Sequence, residues 1–344
     1  MKPYCSNRLA EMVYLALILS LLFTASALRE DTLKGFQPKW ETSGPVEYIS
    51  GGKYFLALNG VHAIRLGHEA SISQKIHVKK GTMYALTFAA SRSCVQEEVL
   101  RVSVPPALGD IHMKSLYSTN GSDVYAWAFR ATSDFAKVTL HNPGMQEDPA
   151  CGPLINTVAI KELLPPLLTT NNLVKNSGFE EGPHHNLIYA SDGIILPPKQ
   201  EDLESPLPGW IIESLKAVKY IDRAHFHVPS GQAAIELVAG RESAIAQIIP
   251  TVPKKKYTLT FSVGDAGNGC LGDMMVEAYA GKHAFKVPFT SAGKGNFKTV
   301  SFQFIAFGIR TRLTFFSSFY HTRVDKSGGL CGPVIDEVQV PPVA

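Results

Sequence analysis

The chain has 344 residues, 45% hydrophobic and 18% charged, with a formal net charge of +3. That balance excludes a disordered or fibrous chain and gives no clustered basic footprint for nucleic acid; the single basic run, Lys254-Lys255-Lys256, reads as a solvated turn. One hydrophobic core seldom grows past about 250 to 300 residues, so two domains are expected.

The first element is a secretory leader. Lys2 and Arg8 give a basic start, residues 13–23 an apolar run, and Ala25-Ser26-Ala27 a small-x-small cleavage site. The run falls short of the ~20 residues that span a bilayer, which favours a leader over an anchor. The tail Pro341-Pro342-Val343-Ala344 carries no lipid-anchor signal. Residues 1–27 are read as the signal peptide, and the mature chain is expected to start near Leu28 and to be secreted. Removing Lys2, Arg8 and Glu11 takes 33 basic and 30 acidic residues to 31 and 29.

The rest of the chain repeats itself. Trp40 answers Trp210, Val46-Glu47-Tyr48-Ile49 answers Val218-Lys219-Tyr220-Ile221, and Ala63-Ile64-Arg65-Leu66 answers Ala234-Ile235-Glu236-Leu237. Further on, Ile72-Ser73-Gln74-Lys75-Ile76 answers Ile245-Ala246-Gln247-Ile248-Ile249, and Tyr84-Ala85-Leu86-Thr87-Phe88 answers Tyr257-Thr258-Leu259-Thr260-Phe261. Each copy closes on the same phrase, Cys151-Gly152-Pro153-Leu154-Ile155-Asn156 and Cys331-Gly332-Pro333-Val334-Ile335-Asp336. The matched pieces are short, β-branched or aromatic, alternate with period two and are punctuated by Gly, Pro, Asn and Asp, so they are read as strands. No amphipathic helix is evident beyond the leader. The fold class expected is all-β, a sandwich or jelly roll built twice, in tandem.

The modules are placed at residues 28–164 and 172–344, with 165–171 as a proline-containing, fairly stiff spacer. Module two opens with Asn172-Leu173-Val174-Lys175-Asn176-Ser177-Gly178-Phe179-Glu180, then a long loop leads to Leu207-Pro208-Gly209-Trp210. Module one passes from Lys34-Gly35-Phe36-Gln37-Pro38 straight to Trp40. It is therefore expected to lack its opening strand and to leave a sheet edge open to strand addition.

Of five cysteines, Cys5 leaves with the leader. The remaining four allow three connectivities, and the repeat selects Cys94 with Cys151 and Cys270 with Cys331, as suits an oxidising compartment. Zinc is the rival, but C-x-x-C spacing is absent.

Sites for chemistry are sparse. Gly267-Asn268-Gly269-Cys270-Leu271-Gly272 has dinucleotide spacing but leads into a strand rather than the required helix. His225 and His227 share a strand face without a third metal ligand, and His184-His185 lies in the long loop. No G-x-S-x-G or H-E-x-x-H occurs. Glu180, Glu181, Asp336 and Glu337 are the acids that the first and last strands of module two bring together, hard ligands better suited to calcium than to acid–base catalysis. Asn120-Gly121-Ser122 is a glycosylation sequon, with Asn120 the acceptor. Among aromatics, Trp40, Trp127 and Trp210 are expected in the core, and Tyr48 and Tyr220 are the better candidates for exposed faces.

Asn176-Ser177-Gly178-Phe179-Glu180-Glu181-Gly182-Pro183, Leu207-Pro208-Gly209-Trp210, Val228-Pro229-Ser230-Gly231, Arg65-Leu66-Gly67, Tyr125-Ala126-Trp127-Ala128-Phe129 and Asp148-Pro149-Ala150-Cys151-Gly152-Pro153 together resemble the plant family called domain of unknown function 642. The resemblance implies two galactose-binding-like jelly-roll β-sandwiches in a secreted cell-wall protein that binds wall polysaccharide, cellulose or pectin-related, with Tyr48 and Tyr220 as its candidate carbohydrate-binding residues, and that partners or modulates pectin methylesterase, with no catalytic residues. The modules are also similar to carbohydrate-binding modules in which an opening Glu and a closing Asp hold a structural calcium. Here those positions are Glu180 and Asp336, while module one has Asn156 and no opening strand, so one calcium at most is expected, in module two. The alternatives are a secreted polysaccharide hydrolase or esterase, and a protein–protein or signalling module without sugar binding. Duplication favours a binding protein, because repeated modules gain avidity.

Overall fold

The computed structural model describes residues 40–50, 62–113, 117–118, 121–166, 168–183, 192–197, 204–213, 216, 218–324 and 328–343. Residues 1–27, expected to be a leader, Asn120 and His184-His185 lie outside the described residues.

The alternating pattern becomes burial. In Lys256–Gly264 the side chains of Tyr257, Leu259, Phe261 and Val263 are buried, with Thr258 and Thr260 half-buried between them. Such strands make two tandem β-sandwiches. Module one has a five-stranded sheet in the order Glu41–Ser43, Ser71–His77, Phe135–His141, Val99–Val104, Ala107–His112. Module two repeats it with Ile211–Ile212, Ala244–Pro250, Arg310–Ser317, Leu271–Ala280, His283–Ala292. Each packs on one half of a single eleven-stranded sheet.

In that sheet module one contributes Ser122–Arg130, Met83–Ser91, Leu154–Leu163, His62–Leu66 and Val46–Ser50 in spatial order, and module two contributes Phe297–Ile305, Lys256–Gly264, Val334–Gln339, Ala233–Glu236 and Val218–Asp222. The halves are joined by a short strand, Ile194–Leu196, parallel to Ser122–Arg130 and antiparallel to Val218–Asp222. The cores interlock across this seam: Ile195 and Val238 pack with module one, and Ala89, Val124 and Ala126 with module two.

Charge is buried there as well. Lys219 Nζ donates to Tyr117 O and, at 3.4 Å, to Leu330 O. Burial pushes the nearby Asp123 carboxyl up to about 6 against the pull of Lys219. Arg323 pairs with Asp192 at 2.7 Å, and Lys161 Nζ donates to Gly182 O at 2.8 Å. The stretch 165–171 thus connects modules whose sheets are already continuous.

Candidate functional site

The closing motifs turn on a glycine without room for a side chain. A Cβ on Gly152 would stand 1.9 Å from Leu66 O, and one on Gly332 1.9 Å from Leu237 O. That closeness lets Leu66 N–H donate to Pro153 O (3.0 Å) and Leu237 N–H to Pro333 O (2.9 Å). The cysteines pair as the repeat predicts, Cys94 with Cys151 and Cys270 with Cys331. Past the turn, Thr157 (φ 48°) and Glu337 (φ 50°) form equivalent bulges in the two closing strands.

The second bulge aims Asp336 at the opening segment. Asp336 is fully buried; its Oδ1 accepts Glu337 N–H at 2.7 Å and its Oδ2 accepts Ser230 N–H at 3.1 Å. Glu180 reaches the same Ser230–Gln232 turn, both its oxygens accepting Gln232 N–H at 2.8 and 3.0 Å. Both carboxylates flank Gly178, where a Cβ would lie 3.7 Å from Asp336 Oδ1 and 3.9 Å from Glu180 Oε1. Burial first, then the charges of Glu337 and Glu180, push Asp336 up to about 8. A buried carboxyl in that state finds no countercharge among the described residues, and two carboxylates on one turn fit a hard divalent cation. Glu181 instead turns to the seam, its Oε1 accepting Leu164 N–H at 3.1 Å beside Lys161. Module one has no acid here: Thr157 Oγ1 donates to Asn156 Oδ1 at 2.8 Å.

A second grouping, Cys94, Glu98 and Cys151, has the proximity of a metal site. Its sulfurs are bonded to each other, and Glu98 accepts the N–H groups of Ser93 and Cys94, so it braces a loop.

The aromatic expectation needs one correction. Tyr48 is 47% exposed, with its ring centroid 4.8 Å from that of His62. Tyr220 is 1% exposed, with its hydroxyl donating to Phe179 O at 3.1 Å. Residues 179–182 lie over it, so closely that a Cβ on Gly182 would come within 2.4 Å of the ring; Tyr220 offers no face to a sugar. Trp127 and Trp210 are core residues, and half-buried Trp40 lines a cleft between the sheets of module one. His225 bonds Asp222 at 2.9 Å whereas His227 packs on Gly267 and Gly295, so the two imidazoles hold separate turns.

Aromatics that sequence reasoning missed stand at one corner of each sandwich. Phe135 opens the strand Phe135–His141, 44% exposed, with Lys75 Nζ 4.3 Å from its centroid and His77 at 4.2 Å. Phe307 sits in the turn before Arg310–Ser317, 64% exposed, with Lys282 Nζ at 5.5 Å and His283 at 5.6 Å. Neither lysine has a carboxylate partner among the described residues. The signal was available in Phe307: a phenylalanine between Ala306 and Gly308, in a turn rather than a strand.

Among solved structures, the chain is similar to the tandem CBM22-1-CBM22-2 domain of Paenibacillus barcinonensis Xyn10C at 10% identity and TM-score 0.30, covering 89% of this chain and 94% of that one. It is similar to TmCBM61, solved with beta-1,4-galactotriose, at 17% identity and TM-score 0.32, covering 50% of this chain and 99% of that one. Likenesses that slight identify no ligand. Sequence relatives are far nearer: the Arabidopsis thaliana protein TEEBE is 58% identical over 310 residues, 88% of this chain and 83% of that protein. The Arabidopsis thaliana protein DUF642 L-galactono-1,4-lactone-responsive gene 2 is 54% identical over 308 residues, again 88% of this chain and 83% of that protein. The family profile described as protein of unknown function (DUF642) matches residues 29–161 and 172–341, one stretch per module. With both modules matched and relatives more than half identical along most of its length, the chain belongs to the DUF642 family.

Proposed function

We propose that the chain is a secreted, non-catalytic plant cell-wall protein that binds acidic, pectin-related polysaccharide through an exposed aromatic–lysine pair on each of its two modules. The observation that carries this reading is that each module sets an exposed phenylalanine beside a lysine with no carboxylate partner among the described residues, at positions that differ between the modules: Phe135 with Lys75 of the adjacent strand, and Phe307 with Lys282 of a hairpin turn. A ring packs against the C–H face of a sugar, and an ammonium beside it suits a uronate carboxylate better than the neutral glucan of cellulose. Two weak sites on one rigid body gain avidity along a polymer. The acids support a binding role: Glu98 and Asp265 spend their oxygens on backbone N–H groups. Pectin methylesterase fits as a partner because its reaction exposes the carboxylates that these lysines would meet. Glu180 and Asp336 would hold a structural calcium that steadies the module-two turn.

Pull-down on de-esterified pectin, methyl-esterified pectin and insoluble cellulose tests the reading. Retention on the de-esterified polymer should fall with salt, drop several-fold in Lys75→Ala/Phe135→Ala or Lys282→Ala/Phe307→Ala, and drop more than tenfold with all four changes. Equal retention on cellulose, untouched by the substitutions, would overturn it; retention of the esterase with no polymer bound would favour a protein-interaction module instead.

A further inference from the structure

One end of module two is built from three turns. Thr251 N–H donates to Ile309 O at 2.9 Å, Lys254 N–H to Ala306 O at 2.7 Å and Ala306 N–H to Lys255 O at 3.0 Å, which ties residues 251–255 to 306–309. Tyr257 braces the first turn, its hydroxyl accepting Val252 N–H at 2.8 Å. The hairpin turn at Gly281-Lys282 joins them: Gly281 N–H donates to Arg312 O at 2.8 Å, and Ile305 N–H donates to His283 Nε2 at 3.3 Å.

Module one makes the same frame with other side chains. Val78 N–H donates to Asp134 O, Gly81 N–H to Ala131 O and Ala131 N–H to Thr82 O, and the Tyr84 hydroxyl accepts Lys79 N–H. Met83 pairs with Arg130 across the strands as Lys256 pairs with Ile305. Val252 therefore takes the place of Lys79, Ile305 of Arg130, Phe307 of Thr132 and Ile309 of Asp134. In module one all four are polar, and Lys79 pairs with Glu162 while Arg130 donates to Gly81 O. In module two all four are large hydrophobes left in solvent, with Val252 52%, Ile305 43%, Phe307 64% and Ile309 73% exposed. Lys254, Lys255, Lys256, Lys282 and Arg310 stand exposed around them, and residues 250–257, 281–283 and 305–310 contain no Asp or Glu. The same frame puts Gly81, Thr82, Met83 and Phe135 where module two has Lys254, Lys255, Lys256 and Arg310, so the cations, like the hydrophobes, belong to this copy.

We propose that this tip docks module two on an anionic lipid surface, with its four hydrophobes entering the headgroup layer and its cations meeting lipid phosphates. Large apolar side chains gathered in water and rimmed by polar ones mark an interaction surface. Hydrophobes ringed with lysine have the composition that seats in the interface of a negatively charged bilayer. A polysaccharide fits most of the tip poorly, since Val252, Ile305 and Ile309 offer neither a flat ring for a sugar face nor a partner for its hydroxyls. A folded protein would need a pocket shaped to four protruding side chains, whereas a bilayer yields to them. The inference goes beyond the polysaccharide reading, which uses only Phe307 and Lys282 at the border of this tip. Phe135 and Lys75 on module one remain for polymer, so one chain can hold both.

Co-sedimentation of the mature chain with phosphatidylcholine vesicles, and with phosphatidylcholine and phosphatidylserine vesicles mixed three to one, tests this. The protein should sediment with the anionic vesicles only, and less as salt rises. Val252→Ser/Ile309→Ser should cut that binding more than tenfold, and Lys254→Ala/Lys256→Ala several-fold. The backbone bonds of these turns form in module one beneath polar side chains, so urea midpoints of both variants should match the wild type. Retention on de-esterified pectin should also be unchanged, because neither variant alters Phe307 or Lys282. A wild type that ignores anionic vesicles leaves the tip to a protein partner and overturns the proposal, as does equal vesicle binding by Val252→Ser/Ile309→Ser; neither result touches the polysaccharide reading. Loss of pectin retention in Val252→Ser/Ile309→Ser, without vesicle binding by the wild type, gives the tip to the polymer and overturns the proposal too. Vesicle binding lost in Val252→Ser/Ile309→Ser, with no pectin retention by any form, supports the membrane site and sinks the polysaccharide reading alone.

Discussion

Asp336 is the residue whose protonation governs the turn it holds. Its folded-state value of about 8 lies far above the ordinary 3.8, so between those values the folded protein keeps a proton that the unfolded chain has released. Stability is then full below the ordinary value and falls as pH rises toward 8. Since one unit corresponds to about 1.4 kcal/mol, the loss is on the order of a few kcal/mol. Urea midpoints in chelator should drop from pH 5 to pH 8 and recover at pH 8 when calcium is added. Asp336→Asn should flatten the slope and abolish the calcium response, which separates this group from Asp123, raised in the same direction. A wild type indifferent to calcium at pH 8 would remove the cation from this site. The meeting of Glu180 and Asp336 was legible in the sequence, because the repeat places first and last strands side by side. The burial of Tyr220 was not: Tyr48 and Tyr220 occupy equivalent places in matching strands, and residues 179–182 over Tyr220 are a feature of packing that its strand does not announce.

The closing element shows what duplication preserves. Both copies keep the glycine whose Cβ would strike a carbonyl, the proline carbonyl that receives the next strand, and the bulge beyond. Both also keep the disulfide, with sequence separations of 57 and 61. Loop closure depends on the logarithm of loop length, so removing either bridge should cost about 4 kcal/mol, nearly the same for both. Urea unfolding of Cys94→Ala/Cys151→Ala and of Cys270→Ala/Cys331→Ala checks this. A difference beyond about 2 kcal/mol would mean that local surroundings dominate, Glu98 beside one bridge and Met274 with Phe289 beside the other. These strands were legible because their alternation runs for many residues. Ile194–Leu196 was not, being three residues inside a loop whose pairing partners lie in two different modules.

At the scale of the whole molecule, that three-residue strand decides whether two modules behave as one. A tandem repeat joined only by a spacer would unfold as two units, since domains with separate cores lose their structure separately. Here the backbone ladder runs through Ile194–Leu196, Ile195 is 1% exposed within the core of module one, and Lys219 from module two is anchored on Tyr117 O of module one. Breaking the seam would strand a buried ammonium and open two sheet edges, penalties that each module avoids by staying docked. Calorimetry should therefore record a single transition for the wild type. Ile195→Asp sets a carboxylate in the apolar seam without touching either sandwich's own closing motif, and should split that transition into two. Two resolved transitions in the wild type would show that the continuous sheet does not couple the modules energetically. A single transition retained in Ile195→Asp would place the coupling in the charged contacts of Lys219, Lys161 and Arg323 rather than in the strand.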